Sequence, residues 1–230
     1  MNFKIRVKLY SAGVRIVVDP GAEPSVEWEN QPAGARIETS DAGVRVREQK
    51  TFGTGGTPGE VVITIPVDTA QMELSVAQGD VDIAARGVDS KVKTGAGNIT
   101  GTAFVDSEVK TGAGDVKIEE VEGSDVKSGT GDIHIERVTV TKKCELKTGV
   151  GSINVAAVTG AEPPKSLKVK SGTGDVRVGI VEGTAAKLEV KTGLGQVKSE
   201  LDEVASVAEV TSKVYLEAKS GVGDVTIVRA

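Results

Sequence analysis

From residue 75 onward, apolar and polar positions alternate in short bursts, and each burst breaks at a glycine pair. Before the pair stand Val92, Val109, Val126, Leu146, Val169, Val190 and Ala218. After it stand Val81, Ile99, Val116, Ile133, Ile153, Val176, Val197 and Val225. Two residues further on come Ile83, Gly101, Ile118, Ile135, Val155, Val178, Ser199 and Ile227. Period-two alternation on both sides predicts two short strands per unit with their apolar faces inward. The alternation changes parity at the glycines, so the pair marks a corner, where a sharp bend asks for dihedrals that a Cβ resists.

The unit repeats. "KTGAG" stands at 93–97 and again at 110–114, with relatives beginning at Lys127, Lys147, Lys170, Lys191 and Lys219. The first glycines fall at Gly95, Gly112, Gly129, Gly149, Gly172, Gly193 and Gly221, spaced 17, 17, 20, 23, 21 and 28 apart. A degenerate earlier copy, "SVAQGDVDI" at 75–83, keeps only Gly79 and makes an eighth turn. A unit this short cannot bury its own apolar face, but stacked copies can. The expected fold is therefore all-β: a single-stranded parallel β-solenoid, or β-helix, of about eight short turns over residues 75–230. The rival is an antiparallel meander or propeller, which explains the alternation but not the constant chemistry of each polar column.

Residues 1–74 read differently. Alternating runs at Phe3–Leu9, Val14–Val18, Arg36–Thr39, Val44–Val46 and Val61–Ile65 predict strands, punctuated by Gly13, Pro20-Gly21, Gly34 and the loop "TFGTGGTPGE". Four of the six aromatics lie here: Phe3, Tyr10, Trp28 and Phe52. This segment is expected to be an irregular β cap that closes one end of the stack, since an open last turn leaves backbone groups unpaired. At the other end the strand "GDVTIVRA" finishes the sequence without a polar cap and is expected to be free to pair with another copy. The insertion "KSELDEVASVAEVTSK" (198–213) is the one stretch with helical character.

Composition narrows the function. Of 230 residues 38% are hydrophobic, 27% charged and only 3% aromatic, with a net charge of −5. A mildly acidic chain argues against specific nucleic-acid binding. No stretch is long and apolar enough for a transmembrane segment. The start alternates instead of running apolar, so the chain as written reads as cytoplasmic, or as envelope-associated or secreted if a leader has been removed. One cysteine, Cys144, and one histidine, His134, exclude a disulfide framework and the usual zinc clusters.

A β-rich N-terminal part running into "VVITIPVDT", followed by "TGAGDV", "SGTGDI", "SGTGDV" and "SGVGDV", resembles the "putative adhesin" family of bacterial β-strand-repeat proteins. The likeness covers residues 3 to 230. It implies a β-solenoid and no enzyme activity. Secreted members carry a leader, and the sequence as written is expected to depart from them in this.

Three polar columns invite chemistry. Lys93, Lys110, Lys127, Lys147, Lys170, Lys191 and Lys219 should stack on one outer face, an arrangement suited to an anion-binding face for an anionic polymer or a membrane surface. Two residues upstream stand Glu108, Asp125, Glu145, Glu189 and Glu217, with Lys91 and Lys168 as exceptions. These acids read as compensating cross-strand partners. Asp80, Asn98, Asp115, Asp132, Ser152, Asp175, Gln196 and Asp224 follow the glycines; their interruptions fit side chains bonding turn amides better than a calcium site. Thr94, Thr111, Ser128, Thr148, Ser171, Thr192 and Ser220 should form a hydroxyl ladder inside the corner. His134 reads as a surface residue and Cys144 as an exposed or linking one.

No catalytic base, phosphate loop or aromatic sugar platform accompanies these columns, so no enzyme, cofactor or metal is expected. The sequence points to a non-catalytic solenoid scaffold, adhesin-like, acting by self-association or contact with another protein. The alternative is a binding module using the lysine face for an anionic envelope polymer or membrane surface.

Overall fold

The computed structural model describes residues 3–48, 59–201 and 212–230, and these form 22 strands without a helix. The N-terminal part contributes β1 (Phe3–Ser11), β2 (Gly13–Val18), β3 (Ser25–Trp28), β4 (Arg36–Ser40), β5 (Gly43–Arg47) and β6 (Glu60–Ile65). Next come β7 (Thr69–Gln78), β8 (Val81–Val88), β9 (Lys91–Ala96), β10 (Ile99–Val105), β11 (Glu108–Ala113) and β12 (Val116–Glu122). Then follow β13 (Asp125–Thr130), β14 (Ile133–Thr139), β15 (Cys144–Val150), β16 (Ile153–Thr159) and β17 (Lys165–Thr173). The chain ends with β18 (Val176–Ile180), β19 (Thr184–Leu194), β20 (Val197–Ser199), β21 (Ser212–Val222) and β22 (Val225–Arg229).

The strands stack into two parallel ladders that share one core. One runs β5, β1, β7, β9, β11, β13, β15, β17, β21, β19. The other runs β6, β2, β8, β10, β12, β14, β16, β18, β22, β20. Each coil gives one strand to each ladder, so ten coils make a rod of about 45 Å at one strand spacing apiece. Val14, Val81, Ile99, Val116, Ile133, Ile153, Val176 and Val225 lie on successive rungs, all buried, as the repeat requires. The chain is an all-β parallel solenoid.

The glycines make the corner for two reasons, only one of them legible in advance. The second of each pair, such as Gly131 at φ 138°, takes a dihedral that side chains avoid. The first has ordinary dihedrals but lies against the coil beneath: a Cβ on Gly149 would sit 2.6 Å from the Gly129 carbonyl oxygen.

Three expectations change. The parallel ladder continues through residues 69–78 into the N-terminal part, where β1–β2 and β5–β6 are full coils; only β3 and β4 add antiparallel, one to β6 and the other to β5. β3 and β4 lie in the chain between these two coils and lengthen the step from one to the next, so no 17-residue period marks them. Second, the C-terminal strand is not a free end. β22 lies between β18 and β20, and β21 between β17 and β19, so the last coil slots inside the one before it. Parallel pairing depends on matched side chains, not on chain order, and β19 and β21 carry the same motif. Third, Cys144 is fully buried rather than exposed or linking. Most of the insertion expected to be helical (202–211) and of the loop at 51–58, with Phe52, lies outside the described residues.

Candidate functional site

The register lines up the seven lysines in the spatial order Lys93, Lys110, Lys127, Lys147, Lys170, Lys219, Lys191. Beside them run Lys91, Glu108, Asp125, Glu145, Lys168, Glu217 and Glu189. The two rows interlock. Glu108 pairs with Lys93 at 3.3 Å and also with Lys110. Lys127 bridges Asp125 at 3.5 Å and Glu145 at 2.6 Å. Glu217 collects Lys168, Lys170 and Lys219 at 2.8, 3.1 and 2.7 Å. Glu189 takes Lys191 and Lys219, both at 3.0 Å. Lys147 makes no ion pair among the described residues, although its charge still bears on Glu145.

These contacts move the titrations together. The Lys110 hydrogen bond holds Glu108 below its usual value against the opposing effect of burial, with Lys93 adding to it. Lys127 does the same for Glu145 and is itself raised. Three lysines, Lys168 foremost, hold Glu217 well below the carboxylate range. Lys191 and Lys219 lower Glu189, and Glu217 and Glu189 raise Lys219. The face is an ion-paired lattice in which five carboxylates engage seven of the nine lysines.

The other polar rows bond one coil to the next. Thr94, Thr111, Ser128, Thr148, Ser171, Ser220 and Thr192 each donate to the carbonyl of the second corner glycine on a neighbouring coil, at 2.7–3.2 Å. In the row after the glycines, each side chain accepts the backbone amide of its counterpart on the following coil. Asp80 accepts from Asn98, Asn98 from Asp115, Asp115 from Asp132 and Asp132 from Ser152. Ser152 accepts from Asp175, Asp175 from Asp224 and Asp224 from Gln196. Among the described residues no three His, Cys, Asp or Glu side chains converge to hold a metal ion.

A second corner ladder escaped the sequence reading. Ser90, Ser107 and Ser124 are buried, and each donates to the carbonyl two residues earlier, at 2.7–3.1 Å. Each also accepts a backbone amide from the coil beneath: Met72, Ser90 and Ser107 respectively. Cys144 is the next member, its Sγ 3.2 Å from the Lys142 carbonyl, and Leu167, Leu216 and Leu188 continue the column. Burial, with Asp125 nearby, pushes the Cys144 thiol up to about 12. The signal was present as "VDS", "VDS" and "EGS" at the same 17-residue spacing as the glycines. His134 is outward as expected, with Nε2 2.8 Å from Glu136 and Nδ1 3.2 Å from Asn154.

With these rows in place, comparison with known proteins becomes informative. The Toastrack DUF4097 family matches residues 34–230. The chain belongs to the Toastrack DUF4097 family. No curated protein matches it in sequence. A crystal structure of a "putative adhesin" from Bacteroides fragilis is similar over 99% of this chain and 93% of its own, with a TM-score of 0.56 and 14% identity. A crystal structure of a "putative cell adhesion protein" from Clostridium sporogenes aligns over 100% of this chain and 93% of its own at 12% identity, but with a TM-score of 0.27 nothing rests on it. The family match and the Bacteroides fragilis structure agree on the fold.

The remaining surface of note is the outermost coil, β19–β20. No strand pairs its outer edge among the described residues. Its inward residues Ala186, Leu188 and Val190 are only partly buried. Of the five large apolar side chains that stand exposed among the described residues, four lie on the last two coils: Leu194, Val197, Tyr215 and Val222.

Proposed function

We propose that this Toastrack domain is a non-catalytic scaffold that self-associates through the outer edge of β19, two copies meeting tail to tail. The carrying observation is an 11-residue edge strand, unpaired on its outer side, at the end of the rod whose last two coils hold four of the five large apolar side chains exposed among the described residues. Such an edge is a template for another strand, and contiguous apolar exposure marks interaction surfaces. The opposite end carries only the short β3 and β4, 4 and 5 residues long, which blunts it. The non-catalytic reading is supported by the polar rows, which direct their hydrogen bonds and charges to the neighbouring coil.

A two-fold contact needs β19 to complement itself in antiparallel register. Centring the pair on Leu188 sets Lys187 against the partner's Glu189 in both directions and Ala186 against the partner's Val190. Moving the centre by one residue, to Glu189, opposes Glu189 to itself and Lys187 to Lys191. Charge therefore selects the first register over the second.

Sedimentation across a concentration series should show a species of twice the 23.7 kDa chain mass. Glu189→Lys should weaken it, and the swap Lys187→Glu/Glu189→Lys should restore it. A wild-type chain that stays monomeric at high micromolar concentration overturns the proposal. A dimer indifferent to both substitutions overturns the register.

A further inference from the structure

Beyond self-association, we infer that the opposite end of the rod binds a linear phosphate-bearing polyanion on the outer face of β4, β5 and β1. The ion-pair lattice that engages most of the lysine row does not extend there. Antiparallel pairing sets Arg36 against Arg47, and parallel pairing sets Arg47 beside Lys8. All three are exposed, and the row continues through Ser75 to Lys93 without meeting a carboxylate. None of the three makes an ion pair among the described residues, and like charges set directly opposite repel.

The nearby acids are engaged elsewhere. Glu38 pairs with Arg45 at 3.3 Å, and Glu73 with Arg6 at 3.5 Å. Glu48 accepts the backbone amides of Tyr10 and Ser11 at 2.6 and 3.2 Å. Asp41 lies in the β4–β5 turn, at the far end of these strands from Arg36 and Arg47. The cluster is thus a local positive field in a chain of net charge −5. A multivalent anion relieves that repulsion at neighbouring cations at once.

The surroundings narrow the ligand class. A lipid surface would call for apolar anchors, but the exposed Val150, Leu194, Val197, Tyr215 and Val222 all lie on other coils. Stacking of successive bases needs several aromatic faces, but among the described residues Tyr10 is the one aromatic on the outer face of β4, β5 and β1, and Ser75 follows Lys8 on the next strand. What remains is recognition of backbone charge by rigid rows about one strand spacing apart, with Arg well suited to bind phosphate oxygens in pairs.

Inorganic polyphosphate titrated into the full chain at several salt concentrations is the test. Lys8→Gln/Arg36→Gln/Arg47→Gln should weaken binding and reduce the salt slope by about three, one for each cation removed. Lys110→Gln/Lys127→Gln/Lys170→Gln, which removes ion-paired lysines, should leave the slope close to wild type. Because Arg36, Arg47 and Lys8 repel one another, the first variant should melt at or above the wild-type temperature. Should it melt lower, Arg47→Gln alone is read by the same titration and should remove about one unit of slope. Equal loss in both triple variants, or none in the first, overturns the assignment. Binding to phosphatidylglycerol vesicles but not to polyphosphate overturns it in favour of a lipid headgroup.

Discussion

Asp115 shows how little of its own chemistry a residue in this molecule uses. Its carboxylate accepts the Asp132 amide at 2.8 Å, and Asn98 accepts the Asp115 amide in the same way without a charge. Asp115→Asn should therefore leave stability nearly unchanged, while Asp115→Ala should cost about 1 kcal/mol in urea unfolding. An alanine variant as stable as wild type would mean that the row does not hold the coils together. The amide-bonding role of this column was legible, because Asn98 and Ser152 interrupt the acids. The departure at Gln196 was not. That residue belongs to the outermost coil, where among the described residues no following amide awaits an acceptor, and only the spatial order reveals this.

At the scale of the strand, β10 carries a substitution written twice. Gly101 leaves a gap where Ile83 and Ile118 fill the flanking coils, and Phe104 fills it from three residues away. A Cβ on Gly101 would lie 2.5 Å from the Phe104 ring, and one on Gly87 of the adjacent coil 2.8 Å from it. Gly101→Ile should overpack the core and cost about 1–3 kcal/mol or more, while Phe104→Val should open a cavity at a similar cost. The double variant copies the Ile118–Val121 pattern of the next coil. Measured by denaturant titration, it should lose clearly less than the sum of the two; strict additivity would show that the ring does not occupy the glycine's place. The strands and the inward column were legible from alternation, but this compensation was not, since glycine and aromatic looked like unrelated exceptions. The serine corner was hidden for another reason. The glycine pair set the frame, and Cys144 lost its column once its corner loop had lengthened.

For the whole molecule, the order of coils lay beyond the sequence. "KLEVKTGLG" of β19 and "YLEAKSGVG" of β21 offer β17 nearly the same partner, and only three-dimensional stacking chooses between them. The charge lattice that crosses these coils gives the rod a pH dependence of definite sign. Glu108, Glu145, Glu189 and Glu217 are lowered from 4.5 in the folded chain, so their contribution is complete above that pH and is lost as pH falls through the lowered values. Lys127 and Lys219 are raised from 10.5, so theirs is complete below that pH and is lost as pH climbs through the raised values. Melting temperature should hold a plateau between these limits and decline on the acid side. Glu108→Gln/Glu145→Gln/Glu217→Gln should flatten the acid decline, and an unaltered decline would locate its cause elsewhere. The interleaved ends have a further effect on how the rod can be mounted. β1 and β22 are each gripped by strands on both sides, one coil in from the tips. Any tether joined to either terminus leaves from the flank, so both tips stay clear to meet other molecules even when the rod is anchored.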